Sequence, residues 1–378
     1  MNLTDSDLLM IANLTYMNKK TLSIIPGLRD IRSYNSLEEY LAVFDENALN
    51  LLESQGEHIV NAGECSGSEL AAMLRYMKDR ENINSLRLLS APTNTQGHPF
   101  ALGFEDPREP GSMIVAFYGT VDPEEWKDNA LGLYQTDTKA QVEALQFIEM
   151  LSSKDITVVG HSKGGNKAQY VSILSPKVSR GVSFDSQGFS GEFLHKYADE
   201  INKHAAKIKS YSLSTDFVHP LLYKLPGVTQ LYVYGGADVT ELAQHHSANS
   251  FFEYYKDEKG HTNVICTKDG NAYFPMAEES SSAKVLHYFS DFIGATASDS
   301  DKLLIGNLLG EVLFLRASGG WENVTPELLK RLVKNPEELG ALLAYVLKYV
   351  DAYGATKKEV EILMKGLGLL ELERMLEL

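Results

Sequence analysis

Ile156-Thr157-Val158-Val159-Gly160-His161-Ser162-Lys163-Gly164-Gly165-Asn166-Lys167-Ala168 is the stretch on which the reading of this chain turns. Its first four residues are all β-branched, the composition of a short strand buried on both faces. From Lys163 to Leu174 the pattern is helical. Between the two lies Gly160-His161-Ser162-Lys163-Gly164, a G-x-S-x-G pattern. Glycines two before and two after the serine let strand and helix approach without Cβ clashes. They set the hydroxyl on a sharp turn at the carboxyl edge of a sheet. Gly165 and Ala168 keep the next helical positions small. Taken alone the pattern is short, and a glycine-rich helix start without chemistry is the plain alternative. The strand before it and the helix after it favour a nucleophilic serine.

Working outward, strand and helix signals alternate. Phe100–Phe104 and Met113–Tyr118 are apolar and aromatic, separated by the turn chemistry of Asp106-Pro107 and Pro110-Gly111. Val142, Leu145, Ile148 and Leu151 suggest a helix with an apolar face. Val182–Phe184, Ile208–Leu213 and Leu231–Tyr234 read as further strands. Short buried strands alternating with helices imply an α/β fold with a mainly parallel sheet. The first 80 residues look helical, with Asp5, Ser36 and either Ser66 or Ser68 as N-caps. After Ser298–Ser300 no strand is convincing. Thr325-Pro326-Glu327, Asn335-Pro336-Glu337 and the Thr356/Glu359 capping-box pair start helices instead, and Leu339, Leu342, Leu343, Val346 and Val350 line one helical face. The expected division is an α/β body over residues 1–299 and a small helical domain over residues 300–378.

The chain has 378 residues, 44% of them apolar and 23% charged, which excludes disorder. Its net charge of −16 is uneven: residues 1–300 hold 39 acids and 25 bases, a balance of −14. Such a body repels polyanions, so neither nucleic acid nor an anionic membrane surface is an expected partner. The two cysteines, Cys65 and Cys266, make no disulfide framework. Asp5 and Asp7 stand where a secretory signal would carry basic residues, and the longest apolar run, Leu303–Leu315, is broken by Asn307 and Glu311. A cytoplasmic protein without an integral membrane segment is expected.

A serine that transfers acyl groups needs an oxyanion hole. The backbone N–H of Lys163, at the helix N-terminus, is one donor. A second must come from the loop after an earlier strand, and Phe117-Tyr118-Gly119-Thr120 ends such a strand, with Gly119 aiming the Thr120 N–H toward the serine. Together with Trp126 and Asn129 this run resembles the F-R-G-T…W…N pattern of class 3 lipases. Val159–Ala168 resembles their G-H-S-L-G-G-x-x-A elbow, and is closer still to a lipase-like, mainly bacterial branch with Lys after the serine and Asn after the glycines. Val182–Phe189 and Ser6-Asp7-Leu8-Leu9 fit that branch too, so the resemblance covers roughly residues 1–290. It implies an α/β-hydrolase fold and a Ser-His-Asp mechanism on a small-molecule ester or lipid. Gly119, Gly160, His161, Gly164 and Gly165 would support the elbow. Tyr118 stands where the family has Arg, and Lys163 where it has Leu. Both bear on lipid preference rather than on fold.

In this fold the acid and then the histidine follow the serine. Asp216, after Ile208–Leu213, lies in an Asp216-Phe217-Val218 run resembling the family's D-x-V. Asp185, at the end of the preceding strand, competes with it. Chain order disfavours His195 and His204, and His219 is too near Asp216 in sequence to swing over the elbow. Of His245, His246, His261 and His287, the resemblance selects His246, because the family's catalytic histidine is followed five positions later by an aromatic, here Phe251. His245 remains the alternative. The expected roles are Ser162 as nucleophile, His246 as general base and Asp216 as its orienting carboxylate, with Thr120 and Lys163 N–H groups at the oxyanion. No Cys/His set has zinc spacing and no phosphate or dinucleotide loop is present, so neither metal nor cofactor is expected. A thioesterase or acyltransferase would use the same residues. A non-catalytic scaffold on the same fold would present the C-terminal helices to a protein partner or a second copy. Helices before residue 80 or after residue 300 are candidates to cover the pocket.

Overall fold

The computed structural model describes residues 3–17, 23–56, 65–120, 128, 129, 132, 135–235, 246–319, 330 and 334–367. Trp126, His245 and the Thr325-Pro326-Glu327 cap lie outside the described residues. The strands are β1 Arg87–Ser90, β2 Ala101–Glu105, β3 Ser112–Phe117, β4 Asp155–His161, β5 Val178–Phe184, β6 Ile208–Leu213, β7 Thr229–Val233, β8 Tyr254–Lys256, β9 Thr262–Val264 and β10 Met276–Ala277. The helices of nine or more residues are α1 Asp5–Asn13, α2 Gly67–Asp79, α3 Lys139–Met150, α4 Lys163–Leu174, α5 Ser281–Thr296, α6 Asp299–Gly319, α7 Pro336–Tyr353 and α8 Lys357–Gly366. Eight strands form one sheet in the order β1-β2-β3-β4-β5-β6-β7-β10. From β3 to β7 all pairs are parallel, and antiparallel strands close both edges. This is the mainly parallel α/β sheet that the sequence predicts. The edge strands β1 and β10 and the β8–β9 hairpin are additions to the expected set.

The strand period of two sorts side chains between two cores. Ile114, Ala116 and Tyr118 join Val159, Val182 and Phe184 against the N-terminal helices. Met113, Val115 and Phe117 join Ile156 and Val158 against α3 and α4. The face of α3 differs from expectation. Ala140, Gln141, Ala144, Phe147 and Ile148 are buried, Leu145 and Leu151 only partly, and Val142 is exposed. Steps of three residues fall about 60° short of a full turn each, so Val142 and Leu151 stand about half a turn apart. The N-cap of α1 is Thr4, in a capping box with Asp7, rather than Asp5. Asp5 instead accepts hydrogen bonds from Lys209 Nζ at 2.8 Å and Tyr211 Oη at 2.7 Å and pairs with Arg180, fastening α1 to β5 and β6. Ser36 and Ser66 cap their helices as the sequence suggests.

A third core belongs to the C-terminal helices. Leu286, Phe289 and Ile293 of α5 pack with Ile305 and Leu308 of α6, Leu342, Val346 and Tyr349 of α7, and Leu363 of α8. This helical layer therefore includes residues 281–296, on the N-terminal side of residue 300. Leu343 of α7 is 37% exposed, one position off the buried stripe. Phe217, just after β6, is packed against the same core, which seats the layer on the sheet's carboxyl edge. Among the described residues no helix is long and apolar enough to cross a membrane.

Candidate active site

The parallel register sets the level of every candidate group. Phe117 of β3 pairs with Gly160 of β4, so Thr120 and Lys163 each stand three residues beyond a matched pair, past the ends of neighbouring strands. Ser162 follows β4 with φ 57° and ψ −127°, a left-handed conformation that L residues rarely adopt, and α4 begins at the next residue. The two glycines of the elbow make this turn fit. A Cβ on Gly160 would lie 2.2 Å from the Gly164 carbonyl carbon, and one on Gly164 would lie 2.3 Å from Phe117 O. The Ser162 N–H donates to Phe184 O at 2.8 Å, tying the turn to β5.

Ser162, His246 and Asp216 come together in one hydrogen-bonded chain. His246 Nε2 lies 2.8 Å from Ser162 Oγ, and its Nδ1 lies 2.8 Å from Asp216 Oδ1. Asp216 is fully buried, and its Oδ2 accepts the N–H groups of His219 at 2.7 Å and Val218 at 3.1 Å. Burial alone would raise this carboxyl, but His246 and His219 beside it hold it well below the usual carboxylate range. The Phe217 ring stands 5.5 Å from that of His246. Phe251 is buried against Phe184 and Phe274 and anchors the segment that carries His246. His261 and His287 make their contacts elsewhere, with Asp257 and with Pro220 O.

Asp185 occupies the end of β5 but is engaged differently. Its Oδ1 accepts the Leu213 N–H at 2.7 Å, and its Oδ2 faces His161 Nε2 at 3.8 Å with no hydrogen bond. Burial and the neighbouring Asp216 charge push Asp185 well above the usual carboxylate range. His161 is buried in turn. Its Nδ1 shares a 2.5 Å hydrogen bond with Tyr16 Oη, and its ring lies 4.8 Å from that of His246, tilted by 37°. Burial and the nearby His246 hold His161 well below its ordinary value, so it stands neutral behind the His246 ring. Tyr16 reaches it beneath Gly119, where a Cβ would sit 2.5 Å from the Tyr16 hydroxyl.

The Lys163 side chain turns away from the open side of the site. It is buried, with Nζ 2.6 Å from Asp128 Oδ2. Burial would raise Asp128, and Lys163 brings it below its ordinary value. Asp128 Oδ1 also accepts the Ala140 N–H at the start of α3, at 3.3 Å. Thr120 Oγ1 accepts from Asn129 Nδ2 at 3.0 Å. Lys167, also buried, donates to Tyr118 O at 3.2 Å and lies over the Phe100 ring.

Sequence reasoning set His219 aside, yet it meets Asp216 on the carboxylate oxygen that His246 leaves free. His219 Nδ1 is 3.1 Å from Asp216 Oδ2 and its Nε2 is 3.1 Å from Glu279 Oε1, which also accepts from Lys224 Nζ at 2.8 Å. Burial disfavours the charged ring, but the two carboxylates outweigh it and raise His219 above its ordinary value. Glu279 is drawn down to about 2 by His219 and Lys224 against the opposing effect of burial. The D-x-x-H spacing of Asp216 and His219 was the available signal, since a carboxylate readily accepts N–H groups two and three residues on. The trios His161–Asp185–His246 and Asp185–Asp216–His219 place potential metal-ligand atoms within 4.8 Å of one another. A cation in either would compete with the hydrogen bonds that align Ser162.

Residues 93–251 match the family model described as Mbeg1-like. That span runs from just before β2 to Phe251 and contains Ser162, Asp216 and His246. No curated protein matches the chain. Among solved structures the chain is similar to one titled "Crystal structure of M37 lipase", at 12% sequence identity and a TM-score of 0.36, over 65% of this chain and 91% of that one.

Proposed function

We propose that this chain is a serine hydrolase that cleaves a carboxylic ester through an acyl-enzyme intermediate. The observation that carries the reading is the pair of 2.8 Å contacts joining Ser162 Oγ to His246 and His246 to Asp216. A serine hydroxyl is a weak nucleophile until a base takes its proton, and His246 Nε2 is within reach to do so. As Ser162 Oγ bonds to the ester carbon, the carbonyl π pair moves onto oxygen, where the Thr120 and Lys163 N–H groups receive the charge. Asp216, held ionised, keeps the proton on Nδ1 and stabilises the imidazolium. Collapse breaks the bond to the alcohol oxygen, which takes the proton from Nε2. A water molecule then repeats the sequence on the acyl-Ser162 ester, releasing the carboxylic acid.

Two measurements test this reading. A fluorophosphonate probe should label the wild-type protein at Ser162 and leave Ser162→Ala unlabelled. p-Nitrophenyl acetate should be turned over by the first and not the second. Absence of both in the folded wild-type protein would favour a non-catalytic scaffold.

A further inference from the structure

A cleft of about 750 Å³ opens between α5, α7 and the connection from β6 to β7. Five of its described lining residues are aromatic. Tyr288 and Phe292 come from α5 and Tyr349 and Tyr353 from α7, each pair four residues apart and so on one helix face. Tyr223 comes from the body. Ala295 and Ala352, also in the lining, are too small to fill the space between the rings. Phe292 stands 5.8 Å from Tyr353 at 86° and 5.6 Å from Tyr349 at 67°, so the walls meet near right angles. Tyr223 is fixed in place. Its hydroxyl donates to Asp291 O at 3.1 Å, and its ring lies against Gly294, where a Cβ would come within 3.0 Å. Tyr288 and Tyr353 are 60% and 65% exposed, more than packing between two helices calls for.

The one acid among the described lining residues is Asp291, and none of them is basic. Its Oδ1 is buried without a hydrogen-bond partner, and its Oδ2 lies 3.5 Å from His287 Nε2. His287 Nδ1 faces Pro220 O at 3.2 Å, and a proton placed there leaves Nε2 of the neutral ring with none for the carboxylate. Lys224, the other cation that bears on Asp291, is hydrogen-bonded to Glu279 and Tyr232. Burial pushes Asp291 up, and His287 and Lys224 oppose that without cancelling it. A cation in the cleft would supply the missing counter-charge, and the electron-rich faces of the rings attract one. The kind of cation follows from what the walls offer. A primary ammonium brings three N–H donors and a divalent metal ion needs several oxygen ligands, but this lining holds a single carboxylate. A cation sheathed in methyl groups needs neither.

We propose that this cleft binds a quaternary ammonium ion, the trimethylammonium head of a small organic molecule. The methyl groups lie on the ring faces and the charge beside Asp291, and the remaining volume takes the rest of the molecule. The chain's net charge of −16 adds to the attraction for a cation. The site stands apart from the ester-hydrolase reading. Neither Ser162, Asp216 nor His246 lines the cleft, and α5 and α7 lie beyond residues 93–251.

The test is calorimetry on the full chain with three probes: choline, ethanolamine and 3,3-dimethylbutan-1-ol. Ethanolamine carries the same hydroxyethyl group on a primary ammonium, and the alcohol is the uncharged carbon isostere of choline. Choline should bind at least about tenfold more tightly than either. Tyr353→Leu keeps an apolar side chain but removes the π face, and should weaken choline by about fivefold to tenfold. Tyr353→Phe should bind as wild type does. Asp291→Asn should cost about tenfold and narrow the margin over the alcohol. Tyr353 is exposed, so its variants keep the test decisive if Asp291→Asn does not fold. Ser162→Ala should bind choline unchanged, whether or not the serine proves to be a nucleophile. Absence of choline binding, or equal binding of the alcohol, overturns the proposal. Ethanolamine binding as tight as that of choline overturns the methylated head. Choline binding that both Tyr353→Leu and Asp291→Asn leave unmoved puts the cation elsewhere and overturns the site.

Discussion

Two imidazoles meet Asp216 from opposite sides, and their surroundings assign them different work. On the Oδ1 side His246 is half-buried and its second nitrogen faces an uncharged hydroxyl, Ser162 Oγ. On the Oδ2 side His219 is buried and its second nitrogen faces a second carboxylate, Glu279. The contact with Asp216 is similar in both, Nδ1 to a carboxylate oxygen at 2.8 and 3.1 Å. What separates them is the group on the far nitrogen. A hydroxyl offers no charge to the ring, whereas two carboxylates favour its protonated form. In the proposed mechanism one side of Asp216 moves a proton and the other keeps one.

The largest effect should fall on the moving side. His246→Ala should lower kcat for p-nitrophenyl acetate by about 10⁵-fold, as Ser162→Ala should, because the residues act as a unit. If His246→Ala kept near wild-type turnover, His246 would not be the base. Next, Asp216→Asn should cost about 10⁴-fold through the wrong imidazole tautomer. His219→Gln should be milder, about tenfold in kcat, or about 1.4 kcal/mol in the barrier. A kcat equal to wild type would mean that His219 does not act through Asp216. The smallest effect belongs to Asp185→Asn. Its Oδ1 accepts the Leu213 N–H, which an amide oxygen can do as well, so kcat should stay within about twofold. A loss there matching Asp216→Asn would make Asp185 the working carboxylate.

The same contrast should be readable in stability. His219 is raised above its ordinary value, so the stability it contributes is complete below about pH 6.5 and is lost as pH rises through the folded value. Asp216 and Glu279 are lowered, so their share is present above about pH 4.5 and is lost as pH falls. Melting temperatures of wild type and His219→Gln across pH 5.5–8.5 should therefore converge at the alkaline end. Parallel curves would contradict a charged His219.

What could be read from sequence was what neighbouring residues decide. The β4–α4 turn was legible because a β-branched run, two spaced glycines and a helical pattern all occur within nineteen residues, Ile156 to Leu174. The edges of β6 were legible for the same reason, which placed Asp216 just beyond a strand end. Contacts across long separations left no comparable mark. Glu279 reaches His219 over 60 positions, and Tyr16 reaches His161 over 145. Lys163 stands out by its position in the motif, but its burial against Asp128 is a contact across 35 positions. The buried face of α3 was misjudged because a spacing of three drifts around a helix, and only the packed sheet shows which stripe is covered.

The fastening of α1 has a consequence for the other end of that segment. Asp5 is tied to Arg180 near the start of β5, and Tyr16, eleven residues on, reaches His161, which lies opposite Phe184 at the strand's far end. The helix and the 3-10 turn Leu14–Tyr16 that follows it span about 18 Å and the four strand steps from Arg180 to Phe184 about 13 Å, with side chains covering the difference. The segment therefore works as a gauge, measuring from one edge of the sheet to the other and setting the height at which a phenol stands behind the His161 and His246 rings. One residue inserted between Asp5 and Asn13 would advance Tyr16 by about 1.5 Å and turn it by about 100°, enough to part it from His161 while leaving Ser162, His246 and Asp216 in place.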